Sequence, residues 1–343
     1  MTAPSPFHEN RFLATPIRDL GLTIADTPLN EVVVEFQREL ERVGIRRLKP
    51  DFYLSTEWGV PFETISIGIP FYLARPELVD VHARHIGHLE GVGRPELLRY
   101  LRHEMGHVVN YAYRLYDQED WIKLFGSITQ PYVEEYRPEP FSQRFVCHLP
   151  GWYAQKHPDE DWSETFAVWM TPGLDWRAAY IHWPEALAKL DYCDRTLAIL
   201  NDRDPLVTTT EHDEDVSSLT TSLEDYYRVQ PAAEDDPLPP GLDGALRVIF
   251  EDFGLPEDQS TNALCRPAAE LISNLERDLV ANVYRWTGHF PETTRRLVQH
   301  LAARAKALQQ VYPADRETSV AVALTTLVTS LAMNHVVRGR YLQ

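Results

Sequence analysis

The chain has 343 residues, 44% hydrophobic and 24% charged, with a formal net charge of −18. That length suggests two domains, or one large domain with an extension. The acidic balance argues against a nucleic-acid binder and an anionic-membrane binder, both of which need a basic surface. No stretch approaches the roughly 20 apolar residues needed to span a bilayer, and the first 22 residues are too interrupted by Pro, Asp, Glu and Arg for a signal-peptide core. Cys147, Cys193 and Cys265 are too few and scattered for a disulfide framework, so a cytoplasmic location is expected.

Residues 1–200 mix strands and helices, which predicts an α+β domain. Glu31 to Val43 reads as an amphipathic helix. Phe52 to Leu54 and Thr64 to Ile69 read as strands. In the second, Ile65, Ile67 and Ile69 alternate with Ser66 and Gly68, the period of a sheet with one buried face. Pro70 hints at an edge, and an edge strand can take up an extended peptide. A helix from Pro95 to about Tyr116 carries a buried-type stripe of Leu97, Leu98, Leu101, Met105, Val108, Val109 and Ala112.

Residues 201–240 hold eleven acids and two bases, half of the total charge, and end in Pro237 to Pro240. This predicts a linker or loosely ordered surface segment, within which Leu223, Tyr226 and Tyr227 are suited to docking on a neighbouring surface. Residues 241–343 read as an all-helical domain. Its helices are expected around Leu242–Phe250, from Pro267 to Thr287 with Gly288 as terminator, from Pro291 onward, and from Asp315 to Val337.

The chemistry is concentrated in His103-Glu104-Met105-Gly106-His107. Residues i and i+4 share a helix face, so both imidazoles can meet one ion. Zinc accepts two imidazole nitrogens at about 2.0–2.1 Å. Glu104, turned about 100° from His103, stands beside the metal, where it can take a proton from zinc-bound water. The expected cofactor is therefore Zn2+.

A catalytic zinc needs a third protein ligand and an open fourth position. Candidates are His148, His157, Asp159, Glu160, Asp161 and Glu164. Asp159 to Met170 looks helical, with acids in its first turn. Trp162, Phe166, Trp169 and Met170 make one bulky stripe. Glu164 points away from it, toward a second packed surface near Ala167 and Val168. A carboxylate there needs a partner, and a metal is one, so Glu164 is the preferred third ligand. Asp161 or Glu160 is then an outer partner of a ligand histidine.

Leu101-Arg-His-Glu-Met-Gly-His107, Leu124-Phe-Gly-Ser127, Gln130-Pro-Tyr132, the run Phe145 to Gln155, His157-Pro158, Glu164-Thr-Phe-Ala-Val-Trp169 and Ile67-Gly-Ile-Pro-Phe-Tyr-Leu73 occur in that arrangement here. Together they resemble an uncharacterised bacterial family of zinc-binding metallopeptidases, well over residues 45–200 and loosely beyond. The resemblance implies a zincin-like domain of gluzincin type, with a small sheet and an active-site helix. It implies His103 and His107 as ligands, Glu104 as base and Glu164 as third ligand. The gap from His107 to Glu164 is longer than in the thermolysin type. The resemblance also implies relatives encoded beside ATP-grasp peptide-ligase genes, which adds a peptide tag or isopeptide to the candidate substrates.

A peptidase also needs a donor for the oxyanion. Tyr153 is the first choice, with Tyr132, Tyr136, His148 and His157 as alternatives. Arg137 and Arg144 could clamp a substrate carboxylate, although structural ion pairing is the plainer reading. Cys147 invites comparison with peptide deformylases, but the Gly-Cys-Leu-type segment of that pattern is missing, and a buried apolar thiol is the simpler reading. His82, His85 and His88 read as a solvated helix face rather than a second metal site.

The expected function is zinc-dependent hydrolysis of a peptide or isopeptide amide in a peptide or protein substrate. Neither nucleic acid nor membrane is expected as a partner, and the oligomeric state is left open. The alternative is a catalytically silent zinc-binding interaction or regulatory protein. A pure binder, however, has no use for Glu104.

Overall fold

The structure is a computed structural model that describes residues 12–86, 89–132, 136, 138–140, 142–229, 242–252 and 265–341. The chain divides into two compact units, Met1–Gln230 and Pro231–Gln343. The architecture is α+β and mostly helical, with small sheets.

In the first unit, α1 (Pro28–Arg42) begins with Pro at its first position, where the missing N–H costs nothing. Strands β1 (Asp51–Ser55) and β2 (Ser66–Pro70) pair in parallel, Asp51 opposite Ser66 and Ser55 opposite Pro70. Helix α2 (Pro76–His85) follows, then α3 (Arg94–Tyr113), the long helix that carries the histidine pair. Its expected stripe is buried from Leu97 to Ala112. It stops at Arg114, which adopts a left-handed φ of 48°. After α4 (Glu119–Phe125) come α5 (Pro158–Met170), α6 (Trp176–Ala179), α7 (Pro184–Leu200) and α8 (Leu223–Val229). Met105, Trp162, Phe166, Phe36, Ile67 and Ile69 all lie in one apolar core. Each such buried side chain contributes about 1.5–3 kcal/mol relative to exposure.

Three expectations change here. All five residues of β2 are buried, Ser66 and Gly68 included, so the strand has no solvent face. Its outer side is not a free edge either, because the Gly68 N–H donates to the Gly59 carbonyl at 2.8 Å. A peptide strand cannot add there without displacing residues 58–60.

The acidic stretch from 201 to 229 is not a loose linker but part of the first unit. The N–H groups of Leu206 and Val207 donate to the Ala112 carbonyl, that of Val216 donates to Leu54, and the Thr209 carbonyl accepts from Ile65. Buried Val207, Val216, Leu223 and Tyr227 anchor it at intervals. Its charges point outward while these apolar residues hold it down, which a net-charge argument alone does not register. Residues 230–240 of the expected linker lie outside the described residues.

The second unit has its own core, built on Leu246, Ile272, Val283, Leu301, Leu324 and Val328. It is not all-helical. Between α9 (Leu242–Ile249) and the final helix, β3 (Glu251–Asp252), β4 (Cys265–Pro267) and β5 (Gln310–Pro313) form an antiparallel sheet in the order β3-β5-β4. Gln310 and Tyr312 face inward while Val311 and Pro313 are half-buried, a strand alternation too short to stand out in sequence. The helix expected from Pro267 to Thr287 is two helices, α10 (Ala268–Asn274) and α11 (Glu276–Thr287), and Gly288 terminates the second with φ 69°. Helices α12 (Pro291–Ala307) and α13 (Glu317–Arg338) complete the unit. By length and composition the helical stretch Ala314–Arg338 suffices to cross a bilayer, contrary to the sequence expectation. Interleaved Thr and Ser break its apolar run in sequence, and Val320, Leu324, Val328 and Leu331 pack into the second core.

Candidate metal centre

The centre is made where α3 crosses α5. The contacts of His103 with Glu164, and of His107 and Tyr111 with Asp159, set the two helices antiparallel. Gly106 lets them approach. A Cβ built on it would lie 2.6 Å from the Ser163 Cα, and the Trp162 indole N–H donates to the Gly106 carbonyl at 2.7 Å. Gly106→Ala must push the helices apart. We expect a loss of about 1–3 kcal/mol of stability together with weaker metal binding, measured by urea unfolding and metal titration. Wild-type values in both would refute this role of the close approach.

Helix α5 starts at Pro158, capped by the His157 ring, which accepts the Asp159 N–H. Its first turn then sends three successive acids in three directions. Asp159 accepts from His107 Nδ1 at 2.9 Å, from the Asn110 amide at 2.6 Å and from the Tyr111 hydroxyl. Glu160 reaches between the histidines. Asp161 pairs with Lys189 of α7 at 2.6 Å, and that ammonium also donates to the Arg144 carbonyl.

His103, His107 and Glu160 form a buried group that could hold a metal ion. Glu160 Oε2 lies 3.0 Å from His103 Nε2 and 3.4 Å from His107 Nε2, and the two nitrogens are 3.3 Å apart. Ligands at 2.0–2.1 Å on a tetrahedral ion are separated by about 3.3 Å, so the donor set and its spacing fit zinc. The other ring nitrogens are held by carboxylates, His103 Nδ1 by Glu164 at 2.9 Å and His107 Nδ1 by Asp159. Such partners fix each ring and leave Nε2 for the metal.

Glu164, expected as the third ligand, is not part of this group. Its oxygens accept from His103 Nδ1 and from the backbone N–H groups of His148 and Leu149, so its lone pairs are engaged away from the cluster. Glu160, also among the ligand candidates, joins the two Nε2 atoms, and Glu164 stands on the far nitrogen of His103. Asp161, expected as a possible outer partner, serves Lys189 instead.

Glu104 is buried beside the histidines and accepts no hydrogen bond from the described residues, and it lines the same cleft. Burial pushes its carboxyl up to about 7, near the value that suits a general base. For Glu160, burial works in the opposite direction to the histidines, whose charge and hydrogen bonds hold it well below the usual carboxylate range. Burial by itself lowers His103, but its bonds to Glu160 and Glu164 prevail and raise it to about 9.

That raised value fixes a sign. The metal-free protein gains stability from the His103 imidazolium below pH 6.5 and loses it as pH climbs through about 9. A metal needs the neutral ring, so it must expel the proton. His107 is also raised well above the usual histidine range by Asp159 and Glu160 despite its burial, so zinc affinity should rise at least about tenfold per pH unit between pH 6 and 8. Calorimetry in buffers of different ionisation enthalpy should show at least one proton released per ion at pH 7. A flat pH profile with no proton release would contradict the assignment of His103 as ligand.

Tyr153 stands at the cleft as expected, its ring 5.5 Å from that of His103. The turn before it places Trp152 at φ 55°, a left-handed conformation uncommon for a bulky residue and costing of order 1–3 kcal/mol. Tyr132, an alternative donor, gives its hydroxyl to Glu160 Oε1 at 2.8 Å and lies 3.3 Å from the Tyr153 hydroxyl. Tyr136 is turned to the Gly151 carbonyl. Burial keeps His148 neutral, with a pKa lowered to about 4, and its Nε2 bonds to the Arg99 carbonyl.

Other candidates fall away from the centre. Arg144 pairs with exposed Glu185 at 3.6 Å, and Arg137 lies outside the described residues. Cys147 is exposed rather than a core thiol. His82 is not solvated: it is buried and stacks on Tyr72, while His85 stacks on Tyr227. His88 lies outside the described residues. Asp159, a ligand candidate from the sequence, instead supports His107 together with Asn110 and Tyr111, which the sequence reading left out although they follow His107 by nearly one helical turn.

No protein-family model, curated protein or solved structure matches this chain.

Proposed function

We propose that the chain is a zinc-dependent peptidase that hydrolyses a peptide or isopeptide amide bond. One observation carries this reading. Three ligand atoms converge at the wall of an open cleft of about 490 Å³, with an unpartnered buried carboxylate, Glu104, beside them. A structural zinc site is closed by four protein ligands, whereas this group offers three and faces a cleft.

His103, His107 and Glu160 would hold the ion. When bound, zinc would polarise the scissile carbonyl and acidify water. Glu104 takes the proton from the attacking water and delivers it to the leaving amine nitrogen. Asp159 and Glu164 keep the imidazoles oriented throughout. Tyr153, with Tyr132 beside it, supplies the hydroxyl that steadies the oxyanion. The three cysteines are free thiols, which fits a reducing cytoplasm as the compartment.

The test is turnover of a pooled peptide library by protein as purified, after chelation, and after zinc is restored. Cleavage that vanishes on chelation and returns with zinc supports the reading. Cleavage indifferent to chelation would refute it.

A further inference from the structure

Resting on that reading, we propose that the cleft selects an uncharged, apolar side chain next to the scissile bond and disfavours acidic residues and a free C-terminal carboxylate. Part of the cleft lining is apolar and held in place. Trp58, Val60, Phe62 and Ile128 line it. Trp58 stacks on Tyr100 with ring centroids 5.3 Å apart.

Phe62 is the telling residue. It is 58% exposed, yet it sits at the mouth of the cleft against Tyr111 at 5.0 Å and Tyr116 at 5.4 Å. The turn that displays it is fastened on both sides. Thr64 donates to the Pro61 carbonyl through its N–H and its hydroxyl. Glu63, at φ 56°, accepts from the Tyr116 hydroxyl at 2.8 Å and pairs with Arg114 at 3.0 Å. An exposed phenylalanine held this firmly beside a catalytic group is surface prepared for an apolar partner.

The charges on the lining point the same way. Among the described residues, the ionisable groups of the lining are acids, histidines and tyrosines, with no lysine or arginine. Lys156 places its ammonium over the rings of Tyr132 and Tyr153, 4.5 and 5.2 Å from their centroids, and is not part of the lining. A substrate carboxylate would meet Glu104, Asp159 and Glu160, with no lysine or arginine among the described residues of the lining to pair with it.

The test uses capped peptides in which a ketomethylene group replaces the central amide, so that binding is read without turnover. One carries Leu and Phe around the central link, the other two Asp residues. Calorimetry on the protein as purified should show the apolar peptide binding at least about tenfold more tightly. Phe62→Ala should cut that affinity about five- to tenfold, and Phe62→Leu should restore most of it, with metal content unchanged in both. Equal affinities, tighter binding of the acidic peptide, or an indifferent Phe62→Ala would overturn the proposal. The two readings fail separately. Apolar-selective binding without hydrolysis of the matching amide peptides sinks the peptidase and leaves the selectivity standing. Hydrolysis without selectivity does the reverse.

Discussion

Glu160→Ala should lose zinc far more severely than Glu164→Gln. Glu160 offers Oε2 to the space between two Nε2 atoms, so its removal leaves only two protein ligands. Glu164 touches the site only through the far nitrogen of His103. Loss of such an outer partner costs about 10–100-fold in metal affinity, and loss of Glu160 should exceed that. Glu164→Gln should instead cost more in folding, because the side chain is fully buried and gathers His103 Nδ1 and two backbone N–H groups. An amide can accept only through its one oxygen. Chelator-competition titration gives the first ranking and urea unfolding the second. Retention of wild-type zinc affinity in Glu160→Ala, with loss in Glu164→Gln, would restore the sequence-based assignment.

Glu104→Gln should separate metal binding from chemistry. The side chain is not one of the three converging ligands, so zinc content should stay near that of wild type. Turnover should fall by about 10²–10⁴-fold, the usual contribution of a positioned general base. The pH profile carries the same information. Burial raises the Glu104 carboxyl to about 7 in the metal-free protein, and a bound cation beside it pulls the value down. The base works only when ionised. Activity should therefore fall on the acid side along a limb lying below pH 7, and that limb should be absent from the residual rate of Glu104→Gln. Undiminished turnover in the variant would remove Glu104 from the mechanism.

The histidine pair, its helix and the neighbouring Glu104 were legible because one helical turn fixes their relation locally. The carboxylate that joins the pair was not. Glu160 and Glu164 are themselves one turn apart on α5, and either could meet a metal if the helix slid by a turn. The register is set by contact across helices, at Gly106 against Ser163 and at the Trp162 indole on the Gly106 carbonyl. Gly106 is visible in the sequence, but the residue it admits is not. The acidic stretch was misread for a related reason. Its backbone pairs with residues far away in the chain, and only Leu223 and the two tyrosines signalled that it was held. In the second unit the β3-β5-β4 sheet rests on strands of two to four residues, too short for periodicity to register.

The proposed function stands on a zinc held by two imidazoles and one carboxylate with a position left open. Zinc-edge X-ray absorption on the protein as purified reads that coordination. A shell of nitrogen and oxygen at about 2.0–2.1 Å with the multiple-scattering signature of two imidazoles is expected. A sulfur shell at about 2.3 Å, or no zinc bound, would contradict it.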